Sequence, residues 1–377
     1  MTKIINFTNV NPYGSREILQ IKSAIHKVIS KKDFILGDSV KIFEKKYSKI
    51  SKIKYSVGCA SGTDALHLAL KSLNLKKDDE VIVPAMTYIS SGLSVLLNNN
   101  KLVCADIDEN TGLISLTSVL KNISKNTRAI IPVNLYGQKV DLKKLRNYVG
   151  NKIYIIEDSA QSHFAYSCSC KNPSDRCCKK NRNEKYADIS CYSFYPAKNL
   201  GAFGDAGLVA TNNSKLYNKI LALRNLGSIK KHKHDLLGLN SRLDTLQAAI
   251  LNIKLKSILQ LNNKRRALSK IYDDRLKYIK QIKLTRTNIG SSRHLYVIKT
   301  KKRNLLLKYL LRKGIFSQIH YPYSIDKLKP FRKLVKSKTK LKNAQNWANE
   351  CLSLPLHPEM KVDQVKQVVN AITRFFQ

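Results

Sequence analysis

The chain has 377 residues, 43% of them hydrophobic, and carries 68 lysines and arginines against 26 acids, a formal net charge of +42. Its length allows two domains and a sizeable core, and no apolar run approaches the roughly 18 residues of a membrane span. The basic excess would steer anionic partners, but it is scattered from Lys31-Lys32 through Lys179-Lys180 to residues 327–342, so nothing marks nucleic-acid binding as the main role.

The N-terminus, Met1-Thr-Lys-Ile-Ile-Asn-Phe7, lacks a basic segment followed by a long apolar one, which predicts a cytoplasmic chain. Apolar residues near every third or fourth position predict a helix over Ile18–Ile29, broken by Phe34-Ile-Leu-Gly37. From residue 55 to about 212, short apolar runs alternate with helical stretches, the pattern of an open, mostly parallel α/β sheet. Gly58-Cys-Ala-Ser-Gly62-Thr63-Asp-Ala-Leu66 is a small-residue turn entering a helix whose Leu66, Ala69, Leu70 and Leu73 share a face. Such a helix start offers unpaired N–H groups and partial positive charge to an anion.

Strands are predicted at 81–83, 102–106, 129–133, 153–157, 189–194 and 207–211. Their carboxyl ends carry Thr87-Tyr88, Asp106, Asn134-Leu-Tyr136, Asp158 and Lys198, which one crevice could collect. Residues 164–187 form an insertion with Cys168, Cys170, Cys177 and Cys178. Four thiolates suit zinc, but the C-x-C and adjacent spacings depart from the usual C-x₂₋₄-C pattern. A free-thiol loop is therefore preferred and no metal is assigned. The other cysteines, Cys59, Cys104, Cys191 and Cys351, are read as small buried hydrophobes.

After residue 212 the pattern changes to helices and a small sheet. A five-turn helix is expected over 243–261, a strand over 295–298, a helix over 304–313 closed by Gly314, and a strand over 319–322. The expected division is a large domain, residues 1–235, and a smaller C-terminal α+β domain, residues 236–377.

At the centre stands Ile189-Ser-Cys-Tyr-Ser-Phe-Tyr-Pro196-Ala-Lys198-Asn-Leu-Gly201, a buried strand ended by a proline and followed by a lysine. Taken alone, a lysine is ordinarily a solvated cation. Paired with Asp158 at the end of another buried strand, it is what pyridoxal phosphate requires: a primary amine to condense with the aldehyde, and an acid to keep the pyridine nitrogen protonated.

These stretches, with Phe34–Gly37, Pro132-Val-Asn-Leu-Tyr-Gly137, Glu157-Asp-Ser-Ala-Gln161 and Asn240-Ser-Arg-Leu-Asp-Thr-Leu-Gln-Ala-Ala249, resemble the DegT/DnrJ/StrS sugar aminotransferases, fold-type I pyridoxal-phosphate enzymes. The resemblance implies Lys198 and Asp158 as catalytic residues. It implies a cofactor site of Gly62, Thr63, Tyr88, Asp158, Gln161, Ser193 and Lys198, and a homodimer in which Asn240 reaches the partner's cofactor phosphate. Substrate binding falls to His320 and Tyr321, each also readable as an ordinary core residue. Asn134 departs from the histidine common in relatives. The implied reaction moves an amino group from L-glutamate or a similar donor to a nucleotide-linked keto sugar, with 3-keto favoured over 4-keto by the Ile319-His-Tyr-Pro322 ending. Two alternatives are a pyridoxamine-dependent sugar dehydratase, which would characteristically replace Lys198 by histidine, and a basic, non-catalytic nucleic-acid-binding protein of the same fold.

Overall fold

The computed structural model describes residues 4–10, 13–166, 183–230 and 232–377. The four cysteines of the insertion lie outside the described residues, and with them the question of zinc or free thiols.

Seven strands form the main sheet: β1 Tyr55–Cys59, β2 Glu80–Pro84, β3 Lys101–Ala105, β4 Thr127–Ile130, β5 Tyr154–Asp158, β6 Ile189–Ser193 and β7 Gly207–Thr211. Their order is β1-β7-β6-β5-β4-β2-β3. Neighbours from β3 to β6 pair in parallel, and β7 runs antiparallel to both β6 and β1. The two-residue pleat sorts the apolar residues into different cores. Val81, Val83, Leu102, Cys104, Ala129 and Ile156 join helices Gly62–Ser72 and Ile89–Leu97 on one face. Ile82, Val103, Ile130 and Ile155 meet Leu142, Leu145 and Val149 of helix Leu142–Val149 on the other. Both faces are covered, which is why the strands read as continuous apolar runs rather than as alternation.

A hairpin, β8 Ser228–Lys230 and β9 Lys233–His234, precedes helices Thr245–Lys254 and Ile258–Leu276. The single helix expected over 243–261 is therefore two, with the break at Leu255–Ser257. Leu251, Leu255 and Ile258 all stay buried in one cluster, so the apolar period continues across the break and conceals it. A second, antiparallel sheet has the order β10 Lys283–Leu284, β11 Tyr296–Lys299, β12 Cys351–Leu354. Its core takes Tyr272 and Leu276, Leu306 and Leu310, and the Val365, Val368, Val369, Ile372 stripe of helix Val362–Phe376. Residues 319–322 are not a strand. Gln318 alone exchanges backbone bonds with Ser353, at 3.1 and 2.7 Å, and the chain then turns away.

Cys59, Cys104, Cys191 and Cys351 are free and buried. Burial pushes the Cys351 thiol up to about 12, so it stays protonated and inert near neutral pH. Among the described residues no helix is long and apolar enough to cross a membrane.

Candidate active site

The carboxyl ends of β2, β5 and β6 open into one cavity of about 560 Å³. Gly62, Thr63, Tyr88, Asp158, Gln161, Ser193, Lys198, His320 and Tyr321 all line it, so nine of the residues singled out from sequence converge. Asn240 is exposed and not among the lining residues; its neighbour Ser241 braces the glycine turn, donating to Asp64 Oδ2 (2.6 Å) and accepting from Ala60 N–H (3.2 Å). Asp106 is drawn elsewhere: its carboxylate accepts from Asn343 N–H (3.0 Å) and Ala344 N–H (2.8 Å), the start of helix Lys342–Glu350. Asn134 and Tyr136 are buried and are not lining residues either.

Each wall has a local cause. Ser61 caps helix Gly62–Ser72 by accepting from Asp64 N–H at 3.1 Å. The N–H groups of Gly62 and Thr63 precede the first intrahelical bond and remain available to a ligand. A Cβ on Gly62 would lie 2.5 Å from Ser193 Cβ, so glycine is what lets the helix start approach the end of β6. Past β6 the chain folds back through Lys198 N–H to Tyr195 C=O (2.8 Å) and Ala202 N–H to Phe194 C=O (2.7 Å). A Cβ on Gly201 would lie 2.3 Å from the Pro196 carbonyl oxygen. The turn that presents Lys198 therefore needs glycine behind it.

The Lys198 ammonium donates no hydrogen bond to, and forms no ion pair with, the described residues. Burial lowers its ammonium to about 8, against the pull of the Asp158 charge. Asp158 accepts from Ser91 Oγ–H (2.9 Å) and from Ala160 N–H (3.1 Å). Burial nevertheless raises its pKa, outweighing those two bonds and Lys198. Gln161 is used at both ends: Oε1 accepts from Tyr136 N–H at 2.7 Å and Nε2 donates to Tyr321 Oη at 3.0 Å. Tyr88 starts helix Ile89–Leu97 and is 55% exposed, with its ring tilted against Tyr321 at 5.6 Å. His320 stacks on Phe7 and bonds Ser353 Oγ at 2.9 Å through Nδ1. Burial and Lys198 hold its imidazole down to about 4.

The family model for the DegT/DnrJ/EryC1/StrS aminotransferase family matches residues 16–373. The chain belongs to this family. Among its relatives, the dTDP-3-amino-3,6-dideoxy-alpha-D-galactopyranose transaminase of Aneurinibacillus thermoaerophilus is 34% identical, with 99% of each chain covered. A pleiotropic regulatory protein of Geobacillus stearothermophilus is 34% identical over 95% of each chain. The crystal structure of S. venezuelae DesV in complex with a ketimine intermediate superposes with a TM-score of 0.92 at 32% identity, covering 100% of this chain and 99% of that one. The fold is thus that of fold-type I sugar aminotransferases.

Several residues in and around the cavity were not singled out by the sequence. Phe7 and Thr8 reach the cavity because Ile5 is zipped to the second sheet's surroundings, through Ile5 N–H to Gly314 C=O (2.9 Å) and Phe316 N–H to Ile5 C=O (3.0 Å). Ser91, the donor to Asp158, lies on helix Ile89–Leu97, where a serine ordinarily reads as a weak helix former. His163 is clamped behind β6. Its Nε2–H donates to Ser193 C=O (2.8 Å), so Nδ1 accepts from Tyr47 O–H (3.0 Å). His294, next to β11, completes the cavity wall. None of these carried a motif of its own in the sequence; the signal is long-range packing.

Proposed function

We propose that the protein is a pyridoxal-5′-phosphate-dependent aminotransferase that moves an amino group from L-glutamate, or a similar amino acid, to a nucleotide-linked 3-keto deoxysugar in the cytoplasm. The observation that carries this reading is the convergence of Lys198, Asp158 and the Ser61–Thr63 helix start on one cavity. The residues present suit the cofactor. A close-approach glycine and free first-turn N–H groups fit a phosphate. A lysine without a protein partner fits an aldehyde. A buried carboxylate held only by neutral donors fits a protonated pyridine nitrogen.

When bound, the cofactor supplies an aldehyde that takes up the amino group and a ring that draws electrons from the bond being broken. The chain's own residues do the rest. Gly62 and Thr63 N–H, with Ser193 Oγ, would hold the phosphate. Asp158, fixed by Ser91 and Ala160, would accept from the pyridine N–H. The exposed ring of Tyr88 offers a stacking face, and Gln161, His320 and Tyr321 shape the substrate side. Lys198 Nζ, lowered by burial to about 8, holds a far larger free-base fraction near neutral pH than an ordinary lysine and can take the proton leaving the donor's Cα. Holding that amine beside the carbon makes the transfer effectively intramolecular, an advantage of about 7–11 kcal/mol at best.

Among the described residues the cavity lining includes one full cation, Lys198, which the chemistry itself uses. A nucleotide diphosphate and a donor carboxylate need further positive charge, which supports a homodimer in which Asn240 and basic side chains of a second copy complete each site. The 3-keto preference rests on His320-Tyr321 and on the relative whose name specifies a 3-amino product. The same reading divides the chain into residues 1–235 and 236–377, supported by the second core, whose members other than Ile5 lie between Leu268 and Ile372. The test is incubation with pyridoxal phosphate, L-glutamate and dTDP- or UDP-linked 3-keto and 4-keto sugars. An amino sugar whose nitrogen sits on C3 by NMR is the expected product; no amino sugar from either ketone would overturn the reading.

A further inference from the structure

His294 is held by everything around it except at one atom. Arg265 Nη1 donates to its carbonyl oxygen at 3.3 Å. On the ring, Nδ1 lies 3.0 Å from Asn199 Oδ1. The Asn199 amide nitrogen is committed as a donor to Asn262 Oδ1 (2.8 Å) and Ser292 C=O (2.8 Å). The Asn262 amide nitrogen in turn donates to His163 C=O at 3.0 Å. This chain of bonds has one consistent assignment. Asn199 Oδ1 is an acceptor, so Nδ1 of His294 carries the proton. In the neutral ring Nε2 is then a lone pair. Burial, and the positive charges of Lys198 and Arg265, keep a second proton off it.

His294 is only 8% exposed yet lines the cavity, and among the described residues nothing donates to Nε2. With Nδ1 committed to Asn199, Nε2 is the ring atom left to accept a hydrogen bond from a ligand in the cavity. The donors on a keto sugar that a neutral acceptor can read are its ring hydroxyls. The geometry points to His294 Nε2 as the acceptor for a hydroxyl of the sugar, flanking the ketone, with Asn199 as the positioning residue that fixes the tautomer. This rests on the proposed aminotransferase reading and adds to it a determinant of which sugars are accepted.

The experiment uses the holoenzyme with whichever nucleotide-linked keto sugar turns over, together with its 2-deoxy and 4-deoxy counterparts. His294→Asn retains an N–H at the Nδ1 position and removes the Nε2 acceptor; His294→Gln returns an acceptor near Nε2. His294→Asn should lower kcat/KM for the full sugar by about 10–100-fold, with little change in kcat/KM for the amino donor, and His294→Gln should recover part of the loss. One deoxy sugar should cost the wild type about 10–100-fold as well, and should cost His294→Asn almost nothing, because the same bond is already gone. Equal losses for wild type and variant on both deoxy sugars would overturn the assignment. So would a His294→Asn loss that falls equally on the donor, which would indicate damage to the cofactor site. A wild type active on sugars and unaffected by His294→Asn removes this inference alone. A wild type that aminates no nucleotide sugar removes the functional reading and this one together.

Discussion

Glu157 and Asp158 are neighbours on β5 and meet opposite fates, because the pleat turns them to opposite faces of the sheet. Glu157 faces the closed side. Lys139 Nζ lies 2.5 Å from Oε1, Asn134 Nδ2 donates to the same oxygen at 2.8 Å, and Ser190 Oγ donates to Oε2 at 2.8 Å. Burial alone would raise its pKa; the Lys139 ammonium and these bonds more than offset it and hold the carboxyl below its usual range. Asp158 faces the open side, where it has only neutral donors and the more distant Lys198, and burial wins. A fully compensated buried charge is a structural tie. An under-compensated one beside a cavity is poised for a ligand that brings the missing positive charge.

The comparison breaks most severely at Glu157. Glu157→Ala removes the carboxylate that faces the buried Lys139 ammonium, together with the acceptor of Asn134 and Ser190, and should cost about 3–5 kcal/mol by urea denaturation. Replacing Lys139 as well, by Met, should return part of that loss, whereas an unchanged denaturation midpoint in the single variant would show the tie to be unimportant. Asp158→Asn should do the reverse. Activity should fall about 10²–10³-fold, as when one preorganised electrostatic contact to the reacting group is removed. Stability without cofactor should not fall. A carboxyl raised in the folded state destabilises progressively as pH climbs from the unfolded value of about 3.9 through the folded one. The variant's advantage should therefore grow over that window and level off above it. A variant less stable than wild type at pH 7 would mean that Asp158 is a structural tie like Glu157.

Capture of the cofactor sharpens the same distinction kinetically. Only the neutral amine condenses with an aldehyde, so the loading rate of cofactor-free protein should rise about tenfold per pH unit and flatten above about 8, where Lys198 loses its proton. A rate still climbing near pH 10 would place Lys198 in an ordinary solvated setting. The smallest effect is expected at Ser91→Ala, which removes one of the two donors to Asp158 and should lower kcat by about tenfold or less, with the Asp158 carboxyl titrating higher still.

Much of this site could be read from the sequence, because a buried parallel strand announces itself as an apolar run and the residue ending it faces the crevice. Asp158 and Ser193 end such strands, and Lys198 and the Gly62-Thr63 turn follow closely on the ends of β6 and β1. Asp106 ends such a strand too, yet was drawn off to the start of helix Lys342–Glu350, a contact across more than two hundred residues that no local pattern reveals. Phe7, His163 and His294 were missed for the same reason: their roles come from tertiary partners. The break at Leu255–Ser257 stayed hidden because it contains neither glycine nor proline, and apolar spacing continues through it.

The absorption spectrum of the purified protein loaded with pyridoxal phosphate, before and after L-glutamate, tests the central claim most directly. The account predicts a visible band that shifts into the near-ultraviolet on adding the amino acid and is absent from Lys198→Ala. A visible band that persists in Lys198→Ala, or a wild type that never forms one, would contradict the assignment of Lys198 and the site built around it.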